Sequence, residues 1–150
     1  MKIEGEFRFD APREAVWEAL LDPDVIARTI PGTERLDRVA EDRYGGVMKV
    51  GVGPVSGRFD LDVTIAEKRS PESFSMDVSG RGPLGHATGV ARVELDDEDG
   101  GTRMRYASDL SIGGRIAGVG QRMIDTVARS MAQKGLQSLE AEIERRTGAP

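Results

Sequence analysis

Apolar and charged residues alternate at the start of the chain, over Lys2–Phe9. One face of this segment is apolar and the other carries only charged side chains, which predicts a half-buried β-strand. Asp10 is the expected N-cap of a short helix that has Pro12 in its first turn. Asp22-Pro23 breaks that helix, and Asp22 can cap a second one. Pro31-Gly32 ends the second helix, because proline cannot continue a helix and glycine takes the turn.

The segment from Thr33 to Ile112 repeats the period-two alternation as a series of about six strands. Turn signals separate these strands at Ser70-Pro71-Glu72, at Gly82-Pro83 and at Asp96–Gly101. Connections this short favour an antiparallel meander. Glycines cluster in the same turns and at strand ends, where a strongly curved sheet has to bend.

Apolar residues then step by three and four from Ile116 to Ile143. This period predicts an amphipathic helix of roughly 30 residues. The apolar face of a sheet has to be buried against another element, and only this helix is long enough to pack across seven strands. The order of elements therefore predicts an α+β fold of the helix-grip class, with a seven-stranded curved antiparallel sheet around a long C-terminal helix. We expect residues 1–150 to form one domain, because the sequence contains no linker and no internal repeat.

The composition argues against several classes of function. The chain has no cysteine, so it has no disulfide framework, no thiolate zinc site and no cysteine nucleophile. Its net charge of −5 argues against nucleic acid as a partner. No apolar run approaches the roughly 18 residues that span a bilayer, and the N-terminus has no apolar signal-peptide core. We expect a cytoplasmic protein without a metal or cofactor.

The apolar interior permits two interpretations. The inward-facing residues form either a filled core, which is the commoner outcome, or the wall of a pocket between sheet and helix. Methionines are frequent among these inward-facing residues. Because thioether side chains adapt to ligands of irregular shape, their frequency weakly favours a pocket. The candidate lining residues are Phe59, Leu61, Met76, Val78, Tyr106, Ile116, Val119, Met123, Val127 and Met131.

The only histidine of the chain is His86, which lies close to Arg81 near a predicted turn. There is no second histidine for a metal pair. A general base would need an orienting carboxylate, which the sequence does not identify. A surface or hydrogen-bonded histidine is therefore the commoner case. For a pocket, the expected mouth residues are Ile30, Pro31, Pro54, Arg81 and His86.

Two other patterns indicate chemistry only weakly. Gly80, Gly82 and Gly85 match the pattern G-x-G-x-x-G. However, Pro83 removes an amide that a phosphate cradle would use, and strands rather than a helix follow. The acidic run Asp96–Asp99 could supply calcium ligands, although such runs usually remain solvated at a hairpin tip.

Three arginines, Arg115, Arg122 and Arg129, are spaced seven residues apart. On one helix they would form a stripe. That stripe is either a solvated face or a basic strip that binds an acidic protein or anionic lipid heads. The second interpretation makes these arginines the candidate residues for docking to a partner or membrane.

Several short motifs resemble those of one protein family. They are Asp22-Pro23, Ile30-Pro31-Gly32, the run from Val50 to Phe59, and Gly113-Gly114-Arg115-Ile116-Ala117 with Gly118 and Gly120. In this order and spacing, the sequence resembles the CoxG family of carbon monoxide dehydrogenase proteins, in the START-like (SRPBCC) superfamily, over nearly the whole chain. The resemblance implies a helix-grip fold with a hydrophobic cavity. It also implies binding of a quinone or another lipid-like molecule, work beside a molybdenum hydroxylase, and peripheral contact with the inner membrane face.

Three functions are compatible with these observations. The first is a non-catalytic carrier of a quinone or similar lipid. The second is an enzyme of the cyclase or hydrolase kind, which needs an acid or base facing the cavity. Its candidate residues are His86, Arg81, Asp109 and Tyr106. The third is an assembly or interaction factor for the molybdenum hydroxylase that acts through the arginines without a ligand. We expect the first, and therefore no enzymatic activity.

Overall fold

Seven antiparallel strands form one curved sheet, and a long helix lies against its inner face. The computed structural model describes residues 1–147. The strands are β1 (Lys2–Phe9), β2 (Thr33–Ala40), β3 (Arg43–Val52), β4 (Val55–Arg69), β5 (Ser73–Gly82), β6 (Gly85–Glu98) and β7 (Gly101–Gly113). The helices are α1 (Arg13–Leu20), α2 (Pro23–Thr29) and α3 (Gln121–Thr147), with a 3₁₀ segment (Arg115–Val119) before α3.

The strands follow the order β1-β7-β6-β5-β4-β3-β2, and every neighbouring pair is antiparallel. Strands β2 to β7 therefore form a meander. β1 joins it beside the last strand, with Gly5 opposite Tyr106. Together with the two short helices after β1, this arrangement confirms the predicted helix-grip fold.

The two short helices begin differently. The carboxylate of Asp22 accepts hydrogen bonds from the backbone N–H groups of Asp24 (2.9 Å) and Val25 (3.5 Å), which confirms Asp22 as the N-cap of α2. The prediction that Asp10 caps α1 was wrong. Pro12 occupies that position without a side-chain cap, and the Asp10 carboxylate pairs instead with Arg8.

The long helix begins later than the apolar stripe predicts. The stripe starts at Ile116, but α3 starts at Gln121 and has 27 residues. Gly114 and Gly120 have φ angles of +87° and +100°. These left-handed values suit glycine and interrupt a right-handed helix. Ile116 therefore lies in the separate 3₁₀ segment rather than in α3.

Two apolar clusters hold the helices against the sheet. The base cluster packs α1, α2 and the C-terminal half of α3 onto one end of the strands. Within it, Trp17 and Phe74 meet edge to face, with 5.5 Å between ring centroids. The tip cluster lies at the other end of the strands and consists of Val52, Phe59, Leu84, Ile116 and Ile124.

Candidate apolar binding site

Several side chains that face α3 are only half-buried in the zone between the base cluster and the tip cluster, although Ile3, opposite Ser108 in this zone, is buried. Along β4, Phe59 and Ile65 are buried, whereas Leu61 and Val63 between them keep part of their surface exposed. All four point to the same face of the sheet, because side chains alternate along a strand. A close-packed interior would bury all of them. Solvent-accessible space therefore remains beside Leu61 and Val63 on the face of the sheet that α3 covers.

The helix side of this space shows the same change in burial. Ile124 and Leu136 are buried, while Val127 and Met131 between them are half-buried. The backbone of α3 lies closest to α1, α2, β1 and β3, and the central strands are farther away. We call the half-buried residues around the space the central band. Its members are Leu61, Val63, Met76, Val78, Ala91, Tyr106, Ser108, Leu110, Val127 and Met131.

Small residues on β5 and β6 widen the space. Gly80, Ala87, Gly89 and Ala91 all belong to the inner face of these two strands. Leu110 leans from β7 across Gly89, but Gly80 and the two alanines remain small. The middle of the sheet therefore gives α3 few side-chain atoms to pack against.

The wall of the central band provides mainly apolar contact. Tyr44 of β3, which is opposite Val63 and also half-buried, lies on the same face next to the band, and Tyr106 is the ionisable side chain of the band itself. Its other polar side chain is Ser108, whose hydroxyl donates a hydrogen bond to the backbone carbonyl of Ile3 (3.1 Å). Such a wall suits an apolar molecule, and its members include no carboxylate or histidine, which are the commonest general acids and bases.

Three of the four candidate catalytic residues lie on the outer face of the sheet. Arg81 and His86 are opposite each other in the pairing of β5 with β6 and are exposed. The ring of His86 lies over Gly113 on that face. Asp109 is also exposed, and its carboxylate pairs with the N-terminal amine (3.5 Å). The prediction that Arg81 and His86 flank a pocket mouth does not agree with this placement, because both side chains point away from α3.

The other predicted mouth residues lie at two levels along α3. Ile30 and Pro31 pack beside Gly135, where an added Cβ would be 2.9 Å from Cδ1 of Ile30 and 3.9 Å from Cδ of Pro31. Pro54 is exposed in the β3–β4 turn, and the Met123 side chain lies against that turn. Met123 and Gly135 are about 18 Å apart along the helix axis, so the structure does not bring these two segments together.

The predicted lining residues separate into two groups. Phe59 and Ile116 are buried in the tip cluster, and Val119 packs against that cluster. Met123, the fourth residue of this group, is 41% exposed. The other six belong to the central band: Leu61, Met76, Val78, Tyr106, Val127 and Met131. The prediction omitted four members of the band that period-two alternation could have identified: Val63, Ala91, Ser108 and Leu110.

The three predicted docking arginines do not form one stripe. Arg115 lies in the 3₁₀ segment, so only Arg122 and Arg129 share α3. Arg129 donates from Nε to the carboxylate of Asp125 (2.8 Å) and from Nη2 to the carbonyl of Lys2 (3.5 Å). The hydrogen bond with Asp125 raises the pKa of Arg129 above its ordinary value. Arg129 is therefore held at the seam between α3 and β1, whereas Arg115 and Arg122 are exposed near the tip cluster.

One end of the molecule is built from segments that contain no acidic side chain. The β3–β4 turn, the β5–β6 turn and the 3₁₀ segment meet there, and the Ile116 N–H donates to the Leu84 carbonyl (2.8 Å). Residues 49–59, 80–87 and 111–124 contribute to this end, which we call the acid-free end, and include no aspartate or glutamate, although Glu34 of β2 pairs with Arg58 there. Four positively charged side chains of this end form no ion pair with any of residues 1–147. They are Lys49, Arg81, Arg115 and Arg122. This end is thus positive in a chain of net charge −5.

The remaining sequence motifs have structural explanations. The Gly82-Pro83 turn leads directly into β6, so no helix N-terminus follows the glycine motif as it would in a phosphate loop. The acidic run lies at the β6–β7 hairpin, where Asp96 pairs with Arg105 (3.0 Å) and Asp97 with Arg13 (3.1 Å). Within the described part of the chain, no group of three or more acidic or histidine side chains is arranged to hold a metal ion.

Two open concavities lie on the outer face of the sheet. They enclose about 400 and 490 Å³ and are lined largely by charged and hydroxyl side chains, among them Glu94, Arg105, Asp62 and Asp77. Ligand sites for apolar molecules are mostly apolar and enclosed. The central band therefore fits an apolar ligand better than either outer concavity.

Comparison with known proteins agrees with this architecture. The family model that describes the CoxG component of carbon monoxide dehydrogenase matches residues 5–144. A conserved protein from Geobacillus kaustophilus is similar in structure, with a TM-score of 0.91 and 25% sequence identity over 97% of this chain and 96% of that chain. No curated protein matches the chain significantly.

Two further solved structures share the fold at lower identity. Zhui aromatase/cyclase from Streptomyces sp. R1128 has a TM-score of 0.74 and 18% identity over 99% of this chain and 96% of that chain. Ara h 8.0201 has a TM-score of 0.69 and 14% identity over 95% and 97%. These likenesses establish the START-like fold alone. Within residues 1–147, no helix combines the length and hydrophobicity that a bilayer-spanning segment needs.

Proposed function

Because the chain belongs to the CoxG family of carbon monoxide dehydrogenase proteins, we propose that it is a non-catalytic carrier that binds an apolar ligand in the central band. The ligand is a quinone or another lipid-like molecule. Its apolar part lies along α3 against Val127 and Met131, with Leu61 and Val78 of the sheet on the opposite side. The carrier serves a molybdenum hydroxylase of the carbon monoxide dehydrogenase type, as the family name suggests.

One observation carries this proposal: apolar side chains that face the helix are half-buried between two clusters that are fully buried. A ligand in that space would cover Leu61, Val78 and Met131 and remove their exposed surface from water. Covering about 200 Å² of apolar surface is worth about 5 kcal/mol at roughly 25 cal/mol per Å². The cost of ordering ligand and side chains reduces this value, so we expect micromolar or weaker binding of short-tailed molecules.

The chemistry of the wall supports a carrier over an enzyme. Zhui aromatase/cyclase shares the fold, but a fold does not determine whether a protein is catalytic. In this chain, Arg81, His86 and Asp109 are exposed on the outer face, and the central band contains no carboxylate or histidine. Its ionisable side chain is Tyr106, with Tyr44 next to the band, whereas a cyclase or hydrolase most often moves protons with a carboxylate or a histidine.

Native mass spectrometry of the freshly purified chain, followed by solvent extraction, tests the carrier function. We expect a co-purifying lipid or quinone, and a higher melting temperature of the emptied protein after addition of decylubiquinone. An empty protein whose melting temperature does not change with decylubiquinone would contradict the proposal. In that case the assembly factor becomes the better hypothesis, and a pull-down with the molybdenum hydroxylase would test it.

A second candidate function is docking on a membrane, which the acid-free end favours. Lys49, Arg115 and Arg122 are exposed at this end beside the apolar side chain of Met123, which is 41% exposed. Cations near anionic lipid heads each contribute about 1 kcal/mol, and an exposed apolar side chain can enter the interface. Docking here would place the tip end of α3 next to the bilayer, from which a lipid-like ligand could be taken up.

Sedimentation with vesicles tests the docking. We expect binding to vesicles that contain phosphatidylglycerol, much weaker binding to pure phosphatidylcholine, and loss of binding in the double variant Arg115→Glu and Arg122→Glu. The matched control is Arg38→Glu with Arg69→Glu, since this pair changes the charge equally but lies near the opposite ends of the strands. An equal loss of binding in both double variants would indicate a non-specific charge effect and contradict docking through the acid-free end.

A further inference from the structure

The ring of Tyr106 lies flat across β1 at Gly5. These residues are opposite each other in the pairing of β1 with β7. A Cβ at Gly5 would lie 2.5 Å from the hydroxyl oxygen of Tyr106, 2.7 Å from Cζ and 3.1 Å from Cε1. Any side chain at position 5 would displace the ring, so glycine is what allows the hydroxyl to reach the seam between β1 and α3.

No hydrogen bond within residues 1–147 involves the Tyr106 hydroxyl, which keeps contact with solvent although its side chain is half-buried in an apolar wall. The other hydroxyl of the central band, that of Ser108, is already bound to the Ile3 carbonyl. A hydroxyl that loses water without gaining a partner costs about 1–3 kcal/mol. A ligand that fills the central band must therefore either supply a partner for Tyr106 or bear that cost.

A fixed positive charge lies on the same side of the space. Arg129 of α3 is anchored to Asp125 and to the carbonyl of Lys2, three residues before Gly5 on the same strand. A guanidinium in this position stabilises an oxygen that carries partial negative charge.

We propose that the Tyr106 hydroxyl determines ligand specificity by donating a hydrogen bond to a carbonyl oxygen of the bound molecule, with Arg129 as a positioning residue that favours the oxygen at the β1–α3 seam. This inference rests on the proposed carrier function and narrows its ligand class to apolar molecules with a carbonyl head. The head lies beside Gly5, and the apolar remainder extends along the central band toward Val127 and Leu61. A pure hydrocarbon of the same shape binds less well, because it leaves the hydroxyl without a partner.

Equilibrium dialysis with two matched compounds tests the proposal. The compound 2-methyl-1,4-naphthoquinone carries two carbonyl groups, and 2-methylnaphthalene has the same carbon skeleton without them. We expect Tyr106→Phe to weaken binding of the quinone about tenfold, as loss of one hydrogen bond implies, and to leave the hydrocarbon unchanged. Gly5→Ala, which keeps the hydroxyl but displaces the ring, should produce the same selective loss.

Three results would overturn the proposal, and they are distinguishable. An equal loss for both compounds in Tyr106→Phe would mean that the hydroxyl supports the shape of the site and does not bind a carbonyl oxygen. Unchanged quinone binding in Tyr106→Phe would mean that the head lies elsewhere, while the carrier function stands. Failure of the unaltered protein to bind either compound would contradict the carrier function itself. A selective loss of the quinone in both variants, with unchanged circular dichroism, is the result expected.

Discussion

Arg28 of α2 donates a hydrogen bond of 2.6 Å to the carboxylate of Glu142 on α3. Arg145, one turn later on α3, binds the other oxygen of the same carboxylate. Glu142 is buried although it is charged, and the hydrogen bond from Arg28 is the main reason that its pKa lies below the ordinary value of 4.5. The pair ties α2 to α3 beside the contact of Ile30 with Gly135, and so keeps the helix over the base of the central band.

Replacing Glu142 by glutamine should destabilise the protein at neutral pH. Loss of hydrogen bonds to two charged groups costs about 2 kcal/mol, or roughly 5 °C in melting temperature for a chain of this size. A carboxylate with a lowered pKa stabilises the fold above its unfolded pKa, and this contribution is lost as the pH falls below about 4.5 through the folded value. The unfolding free energies of the variant and the parent should therefore converge in acid. A difference that persists at low pH would mean that packing, not charge, explains the effect.

Replacing Glu140 by glutamine on the same helix should have the opposite effect. Burial is the main cause of the raised pKa of Glu140, with repulsion from Glu144 and Asp10 adding to it. A carboxyl with a raised pKa destabilises the fold while it is ionised. We expect Glu140→Gln to raise the melting temperature by about 1–2 °C at neutral pH, and the gain to disappear in acid. A lower melting temperature at neutral pH would contradict this assignment.

Enlarging Gly135 should disturb the contact between α3 and the segment after α2. A Cβ at this position would already be 2.9 Å from Ile30, so Gly135→Val should overpack the site and cost about 1–3 kcal/mol. The control is Gly118→Val, because nothing lies within 4 Å of a Cβ at Gly118. Denaturant unfolding should show a loss of stability for the first variant only. Equal losses would indicate a general glycine effect rather than a specific contact.

Replacing Ala91 by phenylalanine distinguishes a gap from a filled core. If the space beside Ala91 is empty, the ring fills it, raises stability by about 0.5–2 kcal/mol and blocks the proposed ligand. The control is Val93→Phe, two residues along the same face of β6, where Val93 is 4% exposed in the base cluster. That change should cost about 1–3 kcal/mol. Thermal unfolding measures the change in stability, and decylubiquinone binding measures whether the ligand is blocked. Destabilisation by both variants would contradict an empty space beside Ala91.

Local patterns were sufficient for most of the fold. The alternation over Lys2–Phe9 predicted β1, and the position of Asp22 before Pro23 predicted the cap and start of α2, because strand period and capping depend on neighbours in the sequence. Asp10 shows the limit of the same reasoning. Its carboxylate could bond either to the helix or to Arg8, and only the geometry of the chain after β1 decides between them.

The site was less predictable than the fold. Six of the ten predicted lining residues belong to the central band, since alternation gives the face of each strand residue. Phe59 and Ile116 instead belong to a packed cluster, and alternation does not say how far along a strand the packing extends. Arg81 and His86 were assigned to a mouth from their place in a turn, although their partners across the strands show that they face outward.

The sequence by itself determined the order of strands and helices, the inner face of each strand, the apolar stripe of α3 and, through short motifs, the resemblance to the CoxG family. These properties depend on residues a few positions apart. Only the tertiary structure decided where α3 begins, that Arg115 lies off the helix, and that space remains around Leu61, Ala91 and Met131. The packing of a helix on a sheet is set by side chains far apart in the sequence, here those of the base and tip clusters, which pack against α3 near its two ends.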